Sequence, residues 1–326
     1  MLPGAVHSGL RSATMRPHGR SSPHPLDFDW RYNEATARGL AVGLRHRGSI
    51  LAIGAPSVVR LLDEMEVHVT LVDRQPLQGV RRHLICDAAE FVTDEPYRTA
   101  LVDPPWYPAQ LRDWTEVAAG AVGTGGTILV SVWPETTRPA AASELATTLE
   151  RFSQWADVYR DEATLRYATP RFEIIARESR ESCELSRSPL TGELIRLEVR
   201  ELPPVHLLNE PTEQWLRFTV DDYQLAIRCR HGDNSDRVEP LFPAEGWRWP
   251  FVSARAPGIG RIDLWSSEGE VARVGSPRRL IEMLRRALGS PDARTFERAL
   301  ADARALLSWR IPRPPYRRSI EWLHRQ

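Results

Sequence analysis

The run Asp103-Pro104-Pro105-Trp106-Tyr107 combines the groups needed to handle an amine. The lone pair of an exocyclic amine on a base is spread into the ring, so transfer to that nitrogen needs acceptors that localise the pair and aim it. The Asp103 carboxylate and the Pro104 carbonyl can each take one N–H hydrogen bond, and Pro105 stiffens the loop that holds both. Trp106 or Tyr107 can stack on a planar acceptor, worth about 1 to 3 kcal/mol per base. No metal is required. Alone, Asp-Pro-Pro is a common turn; its place at the end of an apolar strand gives it a chemical meaning.

That strand belongs to an alternating pattern. Residues 49–53, 67–72, 83–86, 99–102 and 127–133 read as apolar strands, and 57–65, 111–122 and 141–157 as helices with apolar residues at helical spacing. A helix over 33–45 precedes them, and 164–167 with 172–176 reads as an antiparallel pair around Thr169-Pro170. Strand and helix in alternation predict a doubly wound, mostly parallel sheet. After about residue 180 the rhythm changes to extended pieces at 194–199, 215–219, 223–229, 261–265 and 271–274, then helices over 277–288 and 291–307. The predicted organisation is a leader over 1–25, an α/β domain over 26–180 and an α+β accessory or substrate-recognition domain over 181–326.

In an open parallel sheet, ligands sit beyond the carboxyl ends of the strands. Gly54-Ala55-Pro56, Asp73, Asp87 and the Asp103 loop all fall at such ends. On these residues, positions from roughly 26 to 178 resemble the class I S-adenosylmethionine-dependent methyltransferases, and Asp-Pro-Pro-Trp resembles the motif of their amino-methyltransferases. The resemblance implies a Rossmann-like seven-stranded sheet and S-adenosylmethionine as cofactor. It places Gly54, Ala55 and Pro56 under the amino acid part of the cofactor, Asp73 on the ribose hydroxyls, and Asp87 with Ala88 beside the adenine. The implied activity is N-methylation of an amino group, including an exocyclic adenine-type amine.

The departure lies in Ile53-Gly54-Ala55-Pro56-Ser57, with one glycine where the family has Gly-x-Gly-x-Gly and a proline that has no N–H. Residues 103–126 are also similar to the loop of branched-chain polyamine synthases, which implies aminopropyl transfer from decarboxylated S-adenosylmethionine to an amine. A polycationic acceptor needs an acidic groove; Asp63, Glu64 and Glu66 read instead as a solvated helix face. A third possibility is a catalytically silent fold that binds a protein partner through residues 181–326.

Other residues divide between structure and function. The aromatics of 27–32 can lid a cofactor or staple the first helix to the core. Trp133-Pro134-Glu135 can shape an acceptor pocket or close the sheet, and His68 and His83 read as neutral core histidines. Trp215, Trp247, Trp249 and Trp265, interleaved with Arg228, Arg230, Arg248, Arg255 and Arg261, can clamp a nucleic acid or fill a small core beneath snorkelling arginines. Arg278, Arg279, Arg285 and Arg286 read as a solvated helix face.

Composition sets outer limits. With 42% hydrophobic and 26% charged residues the chain matches a soluble globular protein, without an apolar run of the roughly 20 residues a membrane span needs. The first 25 residues lack the apolar stretch of a secretory signal, so a cytoplasmic location is expected. Cys86, Cys183 and Cys229 stand singly, which excludes paired zinc-site spacing. The 43 basic and 43 acidic residues cancel, so no global field attracts a polyanion, and the expected partner is an amine-bearing acceptor, nucleic acid or small molecule. All 43 basic residues are arginine, which either codon bias or selection against a modifiable primary amine explains.

Overall fold

The structure is a computed structural model that describes residues 30–75, 77, 79–170, 173–174, 190–204, 215–220, 223–228, 238–240, 259–267, 269 and 271–288. The first helix begins where the Asn33 side chain accepts the Thr36 N–H at 2.9 Å and so satisfies one of the orphan donors of the first turn. The elements of the first unit are α1 (Glu34–Leu44), β1 (Ile50–Ile53), α2 (Pro56–Glu64), β2 (Val69–Val72), β3 (His83–Leu84), β4 (Thr99–Val102), α3 (Pro108–Val122), β5 (Thr127–Val132), α4 (Ala141–Phe152), β6 (Ala156–Arg166) and β7 (Thr191–Val199).

Their strands form one Rossmann-like sheet of seven in the order β3-β2-β1-β4-β5-β7-β6. β1 to β5 are parallel, and β7 runs antiparallel to both its neighbours, β5 and β6. Both faces of the central strands are covered, which is why β1, β2 and β4 read as continuous apolar runs. Within β1, Leu51 and Ile53 join the core that includes Leu111 and Ala118 of α3 and Leu145 of α4. Ile50 and Ala52 point the other way, into the core with Ala41 and Leu44 of α1 and Val58 and Leu62 of α2.

The described residues from 215 onward form a second compact unit. Strands β8 (Trp215–Val220), β9 (Tyr223–Arg228), β10 (Val238–Pro240), β11 (Leu264–Ser266) and β12 (Val271–Val274) make an antiparallel sheet in the order β10-β12-β11-β9-β8. Helix α5 (Pro277–Leu288) lays Leu280, Ile281 and Leu284 onto Phe218, Leu225, Ile227 and Leu264. Its Arg278, Arg279 and Arg285 are exposed, as expected.

Several sequence expectations are corrected. Residues 194–199 do not open the second module; they lie within β7 of the first sheet, so that unit extends past residue 180. The partner of 164–166 is β7, not 172–176, and the described residues 173 and 174 are helical. The fourth helix stops at Phe152, and residues from 156 are already β6. β6 was hidden because this outermost strand is mostly exposed and carries no apolar alternation. Residues 259–261 are a 3-10 turn, with strand only from Leu264. Asp63 is buried rather than solvated: its Oδ2 accepts the Arg81 N–H at 3.0 Å, while Glu64 and Glu66 are exposed.

The leader, the helix expected over 291–307, Cys183, Cys229, Trp247, Trp249, Arg230, Arg248 and Arg255 lie outside the described residues. Among the described residues no helix is long and apolar enough to cross a membrane.

Candidate functional site

Parallel register brings the expected site residues to one edge. Ile53 of β1 pairs with Val72 of β2 on one side and Val102 of β4 on the other, so the next residues, Asp73, Gly54 and Asp103, emerge side by side at the carboxyl end of the sheet. With neighbouring strands about 4.8 Å apart, Asp73 and Asp103 flank Gly54 across about 10 Å. Asp87 follows β3 beyond them as the cap of a 3-10 turn over Ala88–Glu90.

The Asp103 loop is short and stiff. The Asp103 N–H still donates to the Ile53 carbonyl at 2.9 Å; Pro104 and Pro105 have no N–H and end the ladder there. Tyr107, half-buried, caps α3, its N–H donating to the Pro105 carbonyl at 2.7 Å, and Pro108 begins the helix. Pro104 and Pro105 are buried, and the Pro104 carbonyl takes no hydrogen bond from the described residues.

Asp103 is held by residues absent from the expected site. Ser131, buried in β5, donates its hydroxyl to Asp103 Oδ1, and Tyr167, just past β6, donates to the same oxygen at 2.8 Å. Tyr32 completes the cluster. Its ring lies 4.9 Å from that of Tyr167, and the two residues form an antiparallel bridge fixed by the Asn33 N–H on the Arg166 carbonyl at 2.9 Å and the Ala168 N–H on the Arg31 carbonyl at 2.8 Å. Burial, and next the Asp103 charge, push both phenols well above the usual tyrosine range, so they remain protonated. Tyr32 is thus neither a lid nor a simple staple: it packs into the acid's surroundings.

Trp106 is half-buried, edge-on to Tyr167 with centroids 5.6 Å apart, and it packs against both cores. Gly192 of β7 makes room for it. A Cβ there would lie 3.2 Å from Trp106 Cζ2 and 3.2 Å from Tyr167 Cε2. The indole is therefore braced by the protein before any acceptor arrives.

The loop after β1 is built differently. Gly54 has φ +72°, its N–H donates to the Val72 carbonyl at 3.1 Å, and a Cβ would sit 2.7 Å from Trp114 Cζ3 and 2.8 Å from the Asp103 carbonyl oxygen. Packing alone demands glycine there. Ala55 and Pro56 are buried, and Pro56 is the first residue of α2. Asp73 accepts the Gln75 N–H at 2.8 Å; Asp87 accepts the Ala89 N–H at 3.0 Å and lies 3.7 Å from Arg74, next to buried Ala88.

The remaining candidates are structural. Trp133 is fully buried, donates to the Ala141 carbonyl at 3.0 Å and carries the Arg138 guanidinium 4.6 Å from its ring centroid. Glu135 pairs with Arg160 at 3.1 Å, and Pro134 accepts the Thr137 hydroxyl. His83 sits 3.1 Å from the Asp73 carbonyl, and burial holds its pKa below the usual value. His68, expected in the core, is instead exposed and contacts Arg82. In the second unit, Trp265 is buried, while Arg228 lies 4.9 Å from the Trp215 ring and donates to the Gly260 and Ile259 carbonyls at 2.9 Å. Arg228 is thus bound into its own fold rather than snorkelling.

No protein-family model and no curated protein matches the chain. Solved structures do. A branched-chain polyamine synthase mutein from Thermus thermophilus, in complex with N4-aminopropylspermidine and 5'-methylthioadenosine, is 14% identical with a TM-score of 0.47, over 57% of this chain and 62% of that one. A 16S rRNA methyltransferase from Thermus thermophilus, in complex with AdoMet and guanosine, is 13% identical with a TM-score of 0.36, over 60% and 46%. The N-methyltransferase NodS from Bradyrhizobium japonicum is 13% identical with a TM-score of 0.33, over 52% and 94%. The chain thus spans less than two thirds of the synthase and of the rRNA methyltransferase. Its own strand order and register carry the fold assignment, and the edge they build sets a braced carboxylate between a rigid proline loop and two further acids.

Proposed function

We propose that the protein transfers a methyl group from S-adenosylmethionine to an amine nitrogen at the Asp103 loop. The observation that carries this is the Asp103 carboxylate, oriented by Ser131 and Tyr167, next to a Pro104 carbonyl that takes no hydrogen bond from the described residues. Two fixed acceptors match the two N–H groups of a primary or exocyclic amine and turn its lone pair outward.

The cofactor's nucleoside part fits what the edge offers: carboxylates at Asp73 and Asp87, the acceptors that ribose hydroxyls and an adenine amino group need, beside buried Ala88. When bound, the cofactor supplies an electrophilic carbon on a positively charged sulfur. The chain's residues bind, orient and exclude water: Asp103 and Pro104 hold the nitrogen, Trp106 and Tyr107 offer aromatic walls, and the prolines fix the loop. The proton that the nitrogen loses passes to solvent or to Asp103.

A second reading has its own support. The loop after β1 is poor in free N–H groups, since that of Gly54 is used by Val72 and Pro56 has none. A donor that lacks a carboxylate asks less of such a loop. Aminopropyl transfer from decarboxylated S-adenosylmethionine to an amine therefore stands as the alternative. Calorimetric titration with both donors separates the two. Tighter binding of S-adenosylmethionine supports methyl transfer, tighter binding of the decarboxylated form supports the alternative, and binding of neither overturns both in favour of a silent fold with a partner for the second unit.

A further inference from the structure

We infer that Tyr167 and Ser131 are positioning residues that act through Asp103, and that the segment before α1, through Tyr32, is part of the same device; this rests on the amine-transfer reading above. Three elements far apart in sequence converge on one carboxylate. Ser131 and Tyr167 both donate to Oδ1, one from β5 and one from the end of β6, so turning the carboxylate about its last bond breaks two hydrogen bonds at once. The phenol that makes one of them is immobilised in turn. Its ring lies 4.9 Å from Tyr32 and is edge-on to Trp106 at 5.6 Å, and the backbone bridge between Tyr32 and Tyr167 sets its height above the sheet.

This arrangement costs stability, which points to a purpose other than packing. Ser131 is the polar residue of the buried stretch Ile128–Val132, and the Tyr32 hydroxyl is buried in the same cluster without a hydrogen bond of ordinary geometry. A purely structural plug at this point would be apolar. A carboxylate that must present a fixed direction to an incoming amine needs donors behind it, and misplacement of such a group by about 1 Å costs on the order of 100-fold in rate. Tyr32 gives the device a handle: docking of residues 31–33 against residues 166–168 sets the ring that sets the acid.

The test uses the full chain and the isosteric variant Tyr167→Phe, which keeps the ring contacts and removes only the hydroxyl. Calorimetry with S-adenosylmethionine is read first; no binding by the wild type sinks the reading beneath and the positioning role with it. With binding in hand, Tyr167→Phe and Ser131→Ala are expected to lower kcat by on the order of 10-fold each, with donor Kd unchanged. In an Asp103→Ala background, Tyr167→Phe should add little, because its hydroxyl has no acceptor left there to orient. A second cycle in thermal unfolding, free of any activity, should show the same non-additivity between positions 103 and 167. Additive losses in kcat, or additive shifts in Tm, overturn the proposal, as does an equal loss from Tyr167→Phe with and without the Asp103 carboxylate.

Discussion

The two loops that meet at the carboxyl edge of the sheet are built on opposite plans. The loop after β4 gathers polar partners around one acid: Ser131 and Tyr167 on Asp103, with Tyr32 behind them. The loop after β1 is filled by packing, with Trp114 lying over Gly54 and Pro56 starting the next helix at once. The first side is organised to fix a direction, the second to fix a distance between strand and helix. Chemistry that depends on orientation should therefore fail at Asp103, and stability should fail at Gly54.

The largest contrast is expected from Asp103→Ala, which should lower turnover about 100- to 1,000-fold, with donor affinity by calorimetry unchanged. Gly54→Ala should do the reverse. An alanine at φ +72° is strained and its Cβ meets both Trp114 and the Asp103 carbonyl, so denaturant unfolding should show a loss of about 2–4 kcal/mol. Comparable stability of Gly54→Ala and wild type would mean the loop is looser than its packing indicates.

Alkaline pH probes the polar side without mutation. The Tyr32 and Tyr167 phenols ionise in the folded protein only above the pKa of about 10 they have when unfolded. Their contribution to stability is therefore constant below about pH 10 and is lost as pH rises from there toward the folded values. Tyr167→Phe should flatten the fall in stability above pH 10, and an unchanged slope would show that this phenol is not held protonated. The smallest effect is expected at Asp87, where Asp87→Ala removes the cap on Ala89 and should cost about 1 kcal/mol or less, together with some donor affinity.

Much of the sheet was legible because its central strands are buried on both faces and end in recognisable stops. The Asp103 loop, Asp73 and Gly54 could be placed at one edge from their positions at strand ends alone. The network behind Asp103 could not, because Ser131, Tyr167 and Tyr32 come from places whose convergence depends on β7 folding back between β5 and β6. Two signals were present. Ser131 is a lone hydroxyl between Val130 and Val132 in a buried strand, and Gly192 is a glycine within a strand, where close approach of another group is the usual cause. Residues 156–163 gave no signal, since an edge strand with most side chains exposed has no period to read.

Whether Asp103 directs an amine toward the donor is tested by transfer of a labelled methyl group from S-adenosylmethionine to a panel of amines, including nucleosides, RNA, DNA and polyamines, by wild type and Asp103→Ala in parallel. Label should appear on nitrogen with the wild type and fall by about 100-fold or more with the variant. Equal transfer by the two proteins would show that Asp103 does not direct the amine.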